Sequence, residues 1–202
     1  MPSTAAERIP QHLGRCTWAC IPLVLASLLT ASACATTSRS EPNDLLTLVS
    51  HADYAALSAR ACEGGALAFA PYARNLSTLD LTHLSAAELR SFTVSKRVYD
   101  WGRYDGSGDS IRLTPMAFHR RFVWDINYGK RARPQRLDSA QLRESSDLAA
   151  VAQAFPGAEA IIYRYGGDER IDRKDARELI LVGRPRSGGW CLLALTHSED
   201  TV

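Results

Sequence analysis

Two acid–base candidates and one basic run hold most of the chemistry that this sequence offers. Asp125 follows Phe118 and Phe122 at helical spacing, so a helix through this stretch carries the carboxylate on the same stripe as two core-facing aromatics. A carboxylate turned inward needs partners or a pocket. It reads either as a ligand-binding or general-base group at the mouth of a cavity between helix and sheet, or as a structural acid held by a neighbouring turn or an arginine. His197 ends the last apolar run and could exchange a proton with an acid; the alternative is a structural histidine. Tyr99, Trp101, Asp105, Asp125 and His197 are the candidate pocket. His119 reads as exposed beside Arg120 and Arg121.

The basic run is Arg120, Arg121, Lys130, Arg131, Arg133 and Arg136, opposed only by Asp125. It reads as a contact patch for lipid phosphate, lipopolysaccharide or an acidic protein, or as a solvated face. Nucleic acid is not expected, because the formal net charge is only +2. Asp105 to Asp109 places oxygen ligands at alternate positions, as calcium loops begin. Its twelfth position is Met116 rather than an acid, so it reads as a tight turn. There is no Gly-x-Ser-x-Gly elbow, His-Glu-x-x-His pair or phosphate-binding loop. The sequence calls for no metal and no cofactor.

The N-terminus reads as an address. Arg8 and Arg15 precede an apolar run from Ile21 to Leu29, too short to span a bilayer, followed by Ala31-Ser32-Ala33-Cys34. This order is that of a lipoprotein signal over residues 1–33, with Ala31 where leucine is usual and Cys34 as the acylated residue, or of an ordinary secretion signal cleaved after Ala33 that leaves Cys34 a plain thiol. Ala35 in place of aspartate favours the periplasmic face of the outer membrane. Residues 34–43 read as the lipidated cysteine and a polar tether, and 44–202 as one globular domain. Of five cysteines, Cys16 and Cys20 leave with the signal and Cys34 takes lipid. Cys62 and Cys191 remain, either as a disulfide or as two buried thiols.

The elements that must position these groups are legible in part. Leu45 to Leu57 reads as one helix, or as two broken near Ala52-Asp53. Ala66 to Tyr72 reads as a strand. Ser85-Ala86-Ala87-Glu88 is a capping box with Leu84 and Leu89 as its hydrophobic staple. Val94 to Trp101 reads as a strand and Pro115 to Ile126 as a helix capped by Thr114. Gly129 to Arg136 reads as irregular, and Leu148 to Phe155 as helical. Ala160 to Tyr165, Arg177 to Val182 and Trp190 to His197 read as strands, the last two joined as a hairpin. With 46% hydrophobic residues and 23% charged, the chain is globular. The expected class is α+β, helices on one face of a curved antiparallel sheet, with a nuclear transport factor-like or cystatin-like cone as the architecture.

Several segments together resemble a group of small exported bacterial proteins and lipoproteins without an established activity. They are Phe69-Ala70-Pro71-Tyr72, Trp101-Gly102-Arg103-Tyr104-Asp105-Gly106-Ser107-Gly108 and Arg121-Phe122-Val123-Trp124-Asp125, then Phe155-Pro156-Gly157-Ala158, Glu178 to Val182 and Trp190 to His197. The group usually ends in His-x-x-Trp-Thr; here Asp200 stands where the tryptophan would be. The resemblance implies an extracytoplasmic single domain and brings no mechanism. The expected function is a non-catalytic, lipid-anchored domain that binds a periplasmic protein or envelope component, of immunity or envelope-associated type. The alternative is a small-ligand-binding, hydrolase or isomerase domain around Asp125 and His197.

Overall fold

The computed structural model describes residues 41–62, 64–74, 76, 81–187 and 189–199. The expected signal, Cys34, most of the tether and Asp200 lie outside the described residues. Helices α1 (Glu41–Ser50) and α2 (Tyr54–Ala59) are separate. The break is at Ala52, which takes a left-handed φ of 52°, and Asp53 then caps α2 through the Ala56 amide. Helix α1 begins inside the stretch that reads as tether. Helix α3 (Ala86–Arg90) has the expected capping box, with Ser85 and Glu88 bonded reciprocally.

Strands β1 (Leu67–Phe69) and β2 (Thr82–Leu84) are short. Strands β3 (Tyr99–Arg103) and β4 (Ser110–Leu113) form a separate hairpin. Helices α4 (Pro115–Phe118) and α5 (Tyr128–Arg131) lead to β5 (Arg133–Leu137), α6 (Ser139–Glu144) and α7 (Ala149–Ala154). The chain ends in β6 (Glu159–Tyr165), β7 (Arg177–Arg186) and β8 (Gly189–Glu199). The main sheet is open, in the order β2-β1-β8-β7-β6-β5. The class is α+β, as the order of elements implies.

The sheet differs from the expectation in two details. It is mixed, because β1 runs parallel to β8 while the other ladders are antiparallel. Apolar layers also cover both faces. Leu179, Leu181, Ile161 and Tyr163 join a core with α1 to α4 and the β3–β4 hairpin. Ile180, Val182, Ala160 and Ile162 join a second core with Leu142 of α6 and Val151 of α7. The central positions of β6 and β7 are buried without alternation, and a strand that is apolar on both sides requires cover on both. Leu193 is an extra residue opposite the Val182–Gly183 step, a bulge that turns β8.

Three local expectations are corrected. The segment from Val94 to Val98 is turn and coil, not strand; both valines are exposed (71% and 49%), and the strand starts at Tyr99. The basic stretch is ordered, because Asn127 caps α5 and β5 then pairs along β6 as the sheet edge. The Pro115 helix does not run to Ile126. After Phe118 it widens into a π-helical turn over His119–Val123, closed by the Trp124 amide on the His119 carbonyl at 2.7 Å.

Cys62 and Cys191 form a disulfide across a sequence separation of 129, with Cα atoms 4.7 Å apart. It ties the segment after α2 to β8. An adjacent bridge supports it, with the Cys62 amide bonded to the Leu192 carbonyl.

Candidate functional site

Asp125 lies beyond the π turn rather than on a helical stripe, yet it still points inward. Its Oδ1 accepts a hydrogen bond from the Tyr128 hydroxyl at 2.8 Å. Its Oδ2 lies 2.9 Å from Arg177 Nε and 3.3 Å from His197 Nε2. Neither of these two contacts has the alignment of a hydrogen bond, so they act as charge contacts. Arg177 Nη1 donates to Glu199 Oε2 at 2.8 Å. Arg121 grips the same carboxylate through both terminal nitrogens, at 2.8 and 3.1 Å. The Tyr72 hydroxyl completes the cluster at 3.4 Å from Glu199.

Four segments therefore converge on one ion cluster: the loop after β1, the π turn and its exit, the start of β7, and the end of β8. Two arginines balance two carboxylates. The Glu199 side chain is 4% exposed and that of Asp125 10%. Burial pushes the Asp125 carboxyl up, but His197, Tyr128 and Arg177 together outweigh it and hold it below the ordinary carboxylate value. Burial likewise opposes ionisation of Glu199, and Arg121, with His197 and Arg177, brings its net shift down. Burial and the adjacent Asp125 charge push the Tyr128 phenol up. The group is an ionised, arginine-paired cluster.

His197 touches this cluster but is fully buried. Its ring meets the edge of Phe122 at 6.2 Å, and Nδ1 has no hydrogen-bond partner among the described residues. The geometry fits the structural reading of Asp125 better than a general base, which needs access to the proton it removes.

The five candidate pocket residues are not one pocket. Trp101 is core, stacked on Phe118 at 4.0 Å and bonded through Nε1 to the Leu113 carbonyl. Tyr99 donates to Glu88 and lies under Arg97. Asp105 is exposed, on the rim of an open cleft of about 220 Å³ between residues 70–72 and 102–105. His119 corrects its reading as exposed: it is buried on the regular turn after Phe118, 2.9 Å from the Tyr54 hydroxyl and edge-on to the Tyr54 ring. Burial, with the charge of Arg120, lowers its pKa to about 4.

The basic run divides. Arg121 is committed to Glu199, and Arg136 to Glu159 through two nitrogens. Arg131 lies 5.3 Å over the Tyr165 ring. Arg120, Lys130 and Arg133 are exposed and have no ion-pair partner among the described residues. Glu199 and Arg177 are the residues that the sequence reading missed. Glu199 lies two residues after His197, which in a strand means the same face. That alternation was the available signal.

No family model, curated protein or solved structure matches the chain.

Proposed function

We propose that this protein is an exported lipoprotein, acylated at Cys34 and held at the periplasmic face of the outer membrane, whose domain is a non-catalytic binding module. The observation that carries the non-catalytic reading is the pairing of its inward acids with arginine. Asp125 and Glu199 are each neutralised by arginine, and the adjoining His197 is sealed from solvent. The Cys62–Cys191 bond supports export, since disulfides persist in oxidising compartments. The exposed Arg120, Lys130, Arg131 and Arg133 support an acidic protein or anionic envelope component as partner.

The test has two arms. Palmitate labelling and membrane fractionation compare the wild-type chain with Cys34→Ala; the label and outer-membrane recovery are both expected to depend on Cys34. In-cell crosslinking then compares the wild type with an Arg120→Glu, Lys130→Glu, Arg133→Glu variant, and a discrete envelope adduct is expected only with the wild type. An unlabelled wild type overturns the anchor, and an adduct unchanged by charge reversal, or none at all, overturns the basic contact.

A further inference from the structure

We infer that the cleft between residues 70–72 and 102–105 is a saccharide subsite that takes one pyranose ring of a neutral glycan. Its volume of about 220 Å³ is below the range of about 300–1,000 Å³ typical of drug-sized pockets, and suits a single ring-sized group. Two tyrosines line it. The Tyr72 ring is fixed edge-on against Phe122 at 5.7 Å, and Tyr104 lies 6.2 Å from the same Phe122. Both are half-buried, so they present rigid aromatic surface together with a hydroxyl. Rings already held in place lose little freedom on binding.

Gly102 forms part of the wall, opposite Pro71. A methyl group there would lie 3.6 Å from Pro71 Cγ, across the cleft, and the φ of 109° is one that other residues rarely adopt. The rim supplies polar groups of both kinds, the Asp105 carboxylate as acceptor and Arg103 as donor. Arg103 is oriented by a hydrogen bond to the Gly108 carbonyl at 2.9 Å.

Charge decides the ligand class. Arg103 and Asp105 cancel at the rim. Arg121, which reaches Tyr72 through the shared Glu199, is already gripped by that carboxylate. An anionic ligand would meet Asp105 at this balanced rim, and a cation would meet Arg103. A neutral polyhydroxylated ring meets neither repulsion: its C–H face lies on tyrosine and its hydroxyls bridge Asp105 and Arg103. This site deepens the binding-module reading by naming a ligand class, but depends neither on Cys34 nor on the basic edge.

The test is saturation-transfer NMR on the full chain in lipid nanodiscs, with tetra-N-acetylglucosamine and maltotetraose as probes. Transfer to ring protons of at least one probe is expected. It should weaken about tenfold or more in apparent Kd in Tyr104→Ala and in Asp105→Asn, and stay unchanged in Lys174→Ala, an exposed residue outside the cleft. Asp105→Asn changes only an exposed rim group, so it reports on binding even where Tyr104→Ala unfolds. No transfer from either probe at about 10 mM, or equal transfer in Asp105→Asn and the wild type, overturns the subsite. Membrane fractionation of the same preparation separates that failure from failure of the lipid anchor.

Discussion

Removing the Arg177 guanidinium takes the one arginine from Asp125 and leaves Glu199 to Arg121 alone, because this side chain bridges Asp125 and Glu199. Breaking a buried ion pair by deleting one partner costs about 3–5 kcal/mol. Arg177 is 25% exposed, so Arg177→Met is expected at the low end, about 3 kcal/mol, read from urea midpoints. The pH dependence follows from the same contacts. Both acids titrate below their unfolded values of about 3.9 and about 4.3. Their contribution is therefore complete above those values and is lost as pH falls through the depressed folded ones. Glu199→Gln should flatten this acid limb of the stability curve. His119 adds a second limb at higher pH. Its folded pKa of about 4 lies under the unfolded value of about 6.5, so between them the unfolded chain holds the extra proton. Stability should decline as pH drops from about 6.5 to about 4, and His119→Gln should remove that slope. An unchanged slope in His119→Gln would falsify the assignment.

At the scale of elements, the bulge in β8 makes a sharp demand on β7. A methyl group on Gly183 would lie 2.1 Å from the Cys191 carbonyl oxygen and 2.5 Å from the Trp190 ring. Overpacking of this kind costs about 1–3 kcal/mol, and here one obstacle is backbone. Gly183→Ala is therefore expected to lose about 3 kcal/mol or more, measured by thermal and urea denaturation. Local signals predicted several elements well. The capping box at Ser85 and the cap at Thr114 need only neighbouring residues, and both form. The strands β6, β7 and β8 also follow from their own apolar runs. The π turn was not legible, because the same Phe118, His119 and Phe122 spacing satisfies an ordinary helix. The burial of His119 was not legible either, because its cover, Tyr54, lies 65 residues away in the chain. Strand β5 was likewise hidden. Its charged residues have no strand pattern of their own, and only pairing along β6 orders them.

Across the whole molecule, the disulfide joins the early helices to the last strand over a separation of 129. The loop-entropy model assigns such a closure about 4–5 kcal/mol. The Cys62→Ser, Cys191→Ser variant is expected to lose much of that, seen as a lower Tm that reducing agent no longer changes. A double variant with wild-type Tm would show that the bond adds nothing to the fold. The sequence by itself determined the last three strands, the helix caps and the α+β class, since these rest on local periodicity and on neighbouring residues. It also placed Asp125 among core residues. Only the tertiary structure decided what that acid does. Its partners Arg177 and His197 lie far along the chain, and Glu199 joins them through Arg177. Ion pairing depends on distance in space, which spacing along the chain does not record. The same holds for the cleft at residues 70–72 and 102–105, one wall of which follows β1 of the main sheet while the other comes from the β3–β4 hairpin.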